Sequence, residues 1–400
     1  MIVDVRLRWL LVGSLVAAGG CSFSTPASVV APIDATDGPA DGRDGPTDGP
    51  PADASPCRAV EVSAMSAHTC ARMENGDVWC WGINHRGEVG RPVQTFCNPN
   101  VSCNPTPEKI VMPPATRLGV SEDHACAIAG AQVYCWGGDA EGQFGDGTGT
   151  DRAAPVLVAA RAGATMISGG LTFGCSLHGA AVKCSGNNDN GEVGNGTTNP
   201  QPTPVTTVPS GTDAIATAYD HACAIEGGFV YCWGSDSSGQ SSTSPGPDIL
   251  SPTVVANVGG PTALATGYEH SCIAHAGGDL RCWGKNTNGQ LGTGDILPHP
   301  GAVVQPQVSG IVELSAGVNH TCGRTPLGSV YCWGEDYAPT PAEVTLPSPA
   351  ISIASGSYHD CFALMDGSVW CLGWNAYGQL GMGTHTGVIT QSVSQVNLCP

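Results

Sequence analysis

The sequence predicts an all-β protein built as a solenoid or propeller array of seven repeated hairpin units. Three observations predict it. The stretch His221-Ala222-Cys223-Ala224-Ile225-Glu226-Gly227-Gly228-Phe229-Val230-Tyr231-Cys232-Trp233-Gly234 returns, with variations, seven times. The first cysteine of each copy falls at Cys70, Cys126, Cys175, Cys223, Cys272, Cys322 and Cys361, so successive copies lie 56, 49, 48, 49, 50 and 39 residues apart. Such a fixed period marks solenoids and propellers. Between the copies, segments rich in Val, Ile, Tyr and Trp are separated by Gly and Pro, the pattern of short strands and turns.

Each unit carries a second cysteine, at Cys80, Cys135, Cys184, Cys232, Cys282, Cys332 or Cys371, 9 or 10 residues after the first. Read as a β-hairpin, both spacings give the same pairing. A spacing of 9 needs a two-residue loop: Gly130-Ala131, Gly179-Ala180 or Gly227-Gly228. A spacing of 10 needs three: Glu74-Asn75-Gly76, Ala276-Gly277-Gly278, Pro326-Leu327-Gly328 or Met365-Asp366-Gly367. All four longer loops end in Gly, as the left-handed third position requires. The cysteines then face each other at non-hydrogen-bonded sites, where Cα atoms lie about 4.5 Å apart, close enough for a disulfide. Seven cross-strand disulfides are therefore expected. Zinc is the rival reading, but zinc sites bring cysteines two to four residues apart, which this spacing does not offer.

Trp-Gly follows the second cysteine in five units, with Ser185-Gly186 and Leu372-Gly373 in the other two. Next comes a turn such as Gly87-Glu88-Val89-Gly90, Gly142-Gln143-Phe144-Gly145, Gly191-Glu192-Val193-Gly194, Gly289-Gln290-Leu291-Gly292 or Gly378-Gln379-Leu380-Gly381. The fourth copy is degraded at Gly239-Gln240, and the sixth lacks the turn, which accounts for the gap of 39. Over residues 57 to 399 this arrangement resembles the regulator of chromosome condensation repeat family. The resemblance implies a seven-bladed β-propeller, in which the cysteine register puts one disulfide in each blade.

The first unit starts abruptly at Cys57 and lacks the Pro-x-Val strand that precedes other units, such as Pro204-Val205-Thr206-Thr207-Val208. The chain ends with such a segment, Val388 to Val396. Joining the ends restores one period, since Cys361 to Cys399 spans 38 residues and Cys57 to Cys70 spans 13. The C-terminal strand is therefore expected to complete the N-terminal blade, and Cys57 is expected to bond Cys399. Cys97 and Cys103 sit in the insertion that lengthens the first gap, and a bond there would staple a surface loop. Of 19 cysteines, Cys21 is left over.

Residues 1 to 21 hold Arg6 and Arg8, an apolar run from Trp9 to Ala18, and Gly19-Gly20-Cys21. This is an export signal, too short to span a membrane once mature. Small residues before a cysteine resemble the lipobox of bacterial lipoproteins, although Ala18 stands where that motif has Leu. The resemblance implies lipidation of Cys21 and an outer-membrane or cell-surface location; an ordinary secretion signal would leave the protein periplasmic or extracellular. Residues 22 to 56, with six Asp, one Arg and repeated Asp-Gly-Pro, cannot bury enough apolar surface to fold. They read as a tether, and they lack the ligand order of a calcium loop. The propeller would then occupy residues 57 to 400, as a monomer.

Nucleic-acid binding needs a basic footprint. With three lysines (Lys109, Lys183, Lys285) and a net charge of -19, this chain does not supply one. Nineteen cysteines behind an export signal indicate an oxidising compartment.

No reaction can be read from the sequence, and no catalytic, metal or cofactor residue is assigned. His68, His124, His221, His270, His320 and His359 each lie two residues before a cysteine, with Phe173 in the third unit. Seven blades spread these rings around the toroid, and the Phe argues for packing. Trp of Trp-Gly likewise reads as inter-blade core. Asp123-His124, Asp220-His221 and Glu269-His270 look like catalytic dyads, but adjacent strand residues point to opposite faces. Loop acids Glu88, Glu141 and Glu192 fall at equivalent turn positions, where a turn role is simplest.

Two functions remain. The first is a non-enzymatic recognition propeller binding a protein or glycan at the cell envelope through its blade loops, including the stapled insertion at 91 to 114. The family resemblance offers nucleotide exchange on a small GTPase and inhibition of β-lactamase as precedents, and neither transfers residue by residue. The alternative is an envelope polysaccharide hydrolase or lyase, which needs paired carboxylates facing the channel.

Overall fold

The computed structural model describes residues 57–398, apart from 94, 99–100, 209, 257, 277, 300 and 306–307. The apolar leader, Cys21, the tether and Cys399 lie outside the described residues. Seven antiparallel sheets follow one another along the chain, each with its strands hydrogen-bonded in chain order except where blade 1 adds a strand. Blade 1 holds Ala59–Met65, His68–Met73, Val78–Ile83 and Val101–Lys109, with Thr95–Asn98 on its outer edge. Blade 2 runs from Arg117–Val120 to Arg152–Leu157, blade 3 from Met166–Gly169 to Gln201–Val208, and blade 4 from Thr212–Ala218 to Ile249–Val254. Blade 5 runs from Pro261–Thr266 to Val303–Gln305, blade 6 from Glu313–Ala316 to Ala342–Val344, and blade 7 from Ala350–Ser355 to Thr386–Gln395.

The all-β seven-bladed propeller is as expected, with one change of phase. The C-terminal strand Thr386–Gln395 pairs with Val369–Asn375 and is the outer strand of blade 7, not a missing strand of blade 1. The Pro-x-Val segment closes the blade before it instead of opening the one after it: Val205 faces Cys184. Each blade is therefore continuous in sequence. Periodicity sets the length of a repeat but not its starting point.

The hairpins have the expected register. Cys223 faces Cys232 across Gly227-Gly228, and Cys70 faces Cys80 across Glu74-Asn75-Gly76. Gly76, Gly278, Gly328 and Gly367 all adopt left-handed φ near 84 to 89°. Disulfides join Cys70–Cys80, Cys126–Cys135, Cys175–Cys184, Cys223–Cys232, Cys272–Cys282, Cys322–Cys332 and Cys361–Cys371, with Cα atoms 4.0 to 4.1 Å apart. Cys97–Cys103 ties the extra hairpin of blade 1. Cys57 is also disulfide-bonded, while Cys399, the partner expected for it, lies outside the described residues.

The apolar core is divided among the blade junctions. One cluster joins Cys70 and Met65 to Leu118 and Trp136 across blades 1 and 2, and each following junction has its own. The last cluster packs Ala59, Met73 and Trp81 against Cys361, Leu380 and Val396, closing blade 7 on blade 1. There the Ala59 amide donates to the Gly367 carbonyl at 3.0 Å. Among the described residues no helix is long and apolar enough to cross a membrane.

Candidate functional site

The site is a place where the joint between neighbouring blades is missing, so the intact joint comes first. In every blade but the sixth, a buried Asn or Asp two residues past the Trp-Gly, Ser185-Gly186 or Leu372-Gly373 pair accepts the amide five residues on: Asn84 from Val89, Asp139 from Phe144, Asn188 from Val193, Asp236 from Ser241, Asn286 from Leu291, Asn375 from Leu380. This folds the Gly-Gln-Leu-Gly segment into a turn whose Gln or Glu side chain accepts an amide two residues back, as Gln379 does from Tyr377. The carbonyl of that same residue points into the next blade. Trp136 donates to Glu88 O, Trp233 to Glu192 O, Trp283 to Gln240 O, Trp333 to Gln290 O and Trp81 to Gln379 O, at 2.7 to 2.9 Å.

The histidines complete the joint. Each opens the second strand of its blade and reaches the residue after the histidine position in the next blade. His221 meets Ser271, His270 meets Thr321 and His359 meets Thr69, at 2.7 to 2.9 Å. Each of these hydroxyls also donates to the turn carbonyl, so it accepts from the histidine Nε2–H. Phe173 stands opposite Ala222, where there is no hydroxyl to bond. His68 has Ala125 at the matching place, and neither of its ring nitrogens has a partner. Burial drives His68, His221 and His270 down to about 3, so these rings are neutral at physiological pH.

His124 finds Gly174 at the matching place and turns to Ser121, with Nε2 3.0 Å from Oγ. Its Nδ1 lies 3.4 Å from Asp123 Oδ1. The Asp sits in a turn, so the strand-alternation rule that separates such neighbours does not hold here. This Ser–His–Asp row imitates a nucleophilic triad, yet Ser121 and His124 are 1% and 2% exposed. The void beside them is about 10 Å³, room for at most one water.

Glu88 and Glu192 hold equivalent turn places, and burial lifts the Glu88 carboxyl to about 8. Glu141 does not share that place: it precedes Gly142, and its amide donates to Gln143 Oε1. The grouping Cys322, Cys332 and Asp360 has ligand spacing, but its two sulfurs are bonded to each other.

Two joints depart from the pattern. In blade 3, Ser185 replaces Trp, and the buried guanidinium of Arg161 takes over. It donates to the carbonyls of Phe144, Gln143 and Gly174 and to the hydroxyls of Ser176 and Ser185, at 2.6 to 3.1 Å. This residue carried no local signal in the sequence, because its partners come from three separate segments.

Between blades 6 and 7 nothing takes over. Blade 6 lacks the turn, Leu372 stands where Trp would reach for it, and a cleft of about 780 Å³ is left. Asp336 is the capping residue of the turn that is not there, and it stands exposed on the cleft wall with φ of 66°. Its neighbours on that wall are Glu335, Tyr337 and Glu343, with Tyr358 and Asp360 opposite. The run Ile389 to Val393 of the outer strand forms the far side.

Asp360 replaces the joint hydroxyl. Its Oδ1 accepts from His320 Nε2 at 3.1 Å and its Oδ2 from Tyr337 OH at 2.6 Å. Burial would push Asp360 up, but the His320 charge and the hydrogen bonds outweigh it and hold the carboxyl below its usual range. His320 moves the other way: burial lowers it, and Asp360 more than offsets that and raises it. Asp336 is pushed up by desolvation and by Glu335 beside it. Carboxyls displaced in opposite directions are a mark of acid–base pairs, but Asp360 is 2% exposed and both its oxygens are engaged. What the cleft can do is bind, through carboxylates, tyrosine rings and a strand edge.

The sequence profile of the regulator of chromosome condensation (RCC1) repeat matches residues 59–88, 262–290 and 311–337, and a second profile of that description matches 278–323. Among solved structures, human WBSCR16 is 18% identical, with 81% of this chain and 95% of that chain covered and a TM-score of 0.67. Yeast RCC1 (Prp20), in its complex with Kap60, is 20% identical over 85% of this chain and 75% of that one, with a TM-score of 0.55. The ectodomain of the Physcomitrella patens receptor kinase CR4 is 19% identical over 79% and 74%, at 0.50. The chain is a seven-bladed β-propeller in which residues 59–88 and 262–337 match the repeat of the regulator of chromosome condensation family.

Proposed function

We propose that this protein is an exported, lipid-anchored recognition propeller: Cys21 carries the lipid, residues 22 to 56 form the tether, and residues 57 to 400 bind a protein partner at the cell envelope. The observation that carries the reading is the use made of the reactive side chains. His221, His270 and His359 and the Trp-Gly tryptophans bond across the blade joints and the acid Glu88 holds its own turn, while the one broken joint exposes an unfilled cleft. The eight disulfide pairs among the described residues suit an oxidising compartment. A structural relative, Prp20p of Saccharomyces cerevisiae, is reported with binding properties to Gsp1p and histones, so the scaffold serves protein recognition there. On blade 1, the stapled ribbon presents Phe96 at 63% exposure, a second contact surface. An insoluble, anchored recognition protein should label with radioactive palmitate only when Cys21 is present, and should crosslink to one envelope protein in stoichiometric yield. Turnover of envelope polysaccharide without a stable protein partner would overturn the reading.

A further inference from the structure

At the other joints, the space that forms this cleft is occupied by backbone. The turn glycine of one blade lies against the outer strand of the next, Gly142 on Pro202, Gly289 on Pro339 and Gly378 on Pro105, so close that a Cβ would come within 2.3 to 2.6 Å. A later glycine of the same loop donates its amide to that strand: Gly147 to Pro202 O, Gly196 to Leu250 O, Gly294 to Pro339 O and Gly383 to Pro105 O. In blade 7 the matching residue is Gln391, and blade 6 has no loop to reach it. The cleft therefore lies where backbone packs at those joints.

The outer strand of blade 7 differs from its counterparts as well. Opposite the Trp position the outer strands of blades 1, 2, 3, 4 and 7 set three residues against one, as Gly373 and Cys371 pair with Thr390 and Ser394. The third bulge residue is Pro in blades 1, 2, 3 and 4 (Pro107, Pro155, Pro204, Pro252), which shows that the sheet does not need its amide. In blade 7 it is Val393, which keeps an amide where those four strands have none. Proline on an outer strand blocks pairing with other chains. Thr386–Gln395 has none, spans ten residues, and is the longest strand described. Its consecutive residues Ile389 to Val393 all line the cleft. Side chains alternate between faces, so the wall includes the strand's edge as well as one face.

Charge selects the occupant. Glu335, Asp336 and Glu343 line the cleft with no Lys or Arg among the lining residues. The protein's own tether carries six Asp and one Arg, and a second copy carries a net charge of -19, so both are repelled. We propose that the cleft between blades 6 and 7 takes an extended basic peptide segment of another protein, which adds along Thr386–Gln395 and sets a Lys or Arg side chain among Glu335, Asp336 and Glu343. Strand addition supplies main-chain affinity, and the pocket for the alternate side chain supplies specificity. Tyr358 on the wall offers a ring face to the cation.

This inference rests on the recognition reading but is tested separately. The probe is the capped pentapeptide Thr-Val-Lys-Val-Thr, titrated calorimetrically into the full-length chain, with the Glu counterpart and a chitosan hexamer as controls. The Lys peptide binds, the Glu peptide does not, and affinity falls as salt rises. Asp336→Asn with Glu343→Gln weakens binding by roughly tenfold or more. Val393→Pro, which restores the residue four other blades carry, abolishes binding while the chain keeps a cooperative melt. Hydrogen exchange of Thr386–Gln395 slows with the Lys peptide. Equal binding of the Glu peptide, binding of chitosan alone, or full binding by both variants would each overturn the proposal. If the envelope crosslink survives in those variants, recognition stands and its place is elsewhere.

Discussion

The indole Nε1–H of Trp81 donates to the main-chain carbonyl of Gln379 at 2.8 Å, joining residues 298 positions apart. The same bond recurs at four internal joints, so the ring is closed by the device that holds each pair of blades. Trp81→Phe keeps most of the buried ring and removes the donor. It should cost about 1–3 kcal/mol, the penalty for leaving a buried acceptor short of a partner, and should lower the calorimetric melting temperature by several degrees. Trp283→Phe, which loses the bond to Gln240, should cost the same within error. A closing joint that mattered less than an internal one would show as an unchanged melt for Trp81→Phe alone.

Arg161 is the repair of the joint that lost its Trp. Removing it takes a charged donor from three carbonyls and two hydroxyls in a buried joint. Arg161→Met should destabilise by about 3 kcal/mol or more in urea unfolding. Arg161→Ala with Ser185→Trp restores the indole donor and should recover part of that loss. An additive double variant would show that the two side chains do not serve the same carbonyl.

What could be read in advance follows from range. Cysteine register and loop length are decided within ten residues, by spacing and by the glycines at Gly76, Gly278, Gly328 and Gly367, so they were legible. The phase of the blade was not, because Val205 can pair with the hairpin on either side until the whole ring is considered. The partners of His221, His270 and His320 lie in the next repeat, as Thr321 does for His270. The short sixth gap was visible, but that it opens a cleft depends on Leu372, Asp360 and Asp336, each an ordinary residue in its own repeat. Arg161 gave no sign at all.

The hairpin disulfides close small loops, so each should contribute somewhat less than the longer loops that give ~3 kcal/mol. Cys223→Ala with Cys232→Ala should cost about 2 kcal/mol and leave the sheet paired as before. Strong reductant, acting on all the bonds at once, should lower the melting temperature sharply. A melt unaffected by reductant would mean that blade-to-blade packing alone sustains the ring.

His320 and Asp360 give this propeller a pH dependence at one joint unlike that at the others. His320 has a folded pKa above its unfolded 6.5, so its contribution is complete below 6.5 and is lost as pH rises through the folded value. Asp360 has a folded pKa below its unfolded 3.8, so its contribution is present above 3.8 and is lost as pH falls through the folded value. The pair therefore stabilises most between about 4 and 6.5. His68, His221 and His270, held near 3, and His359, held near 4, act oppositely: their neutral burial costs nothing above 6.5 and destabilises as pH falls below it. Asp360→Thr supplies the hydroxyl that Thr69 and Thr321 supply elsewhere, and it moves His320 into the neutral class. The ring Cε1–H of His320 should then titrate below 6.5 by NMR, whereas the parent stays protonated above it. The stability difference between parent and variant should appear as pH falls through the His320 value and keep growing from about 6.5 down to about 4, where the variant's neutral histidine costs most. A His320 signal that titrates identically in both proteins would show that the cleft is floored by a neutral hydrogen bond instead of an ion pair.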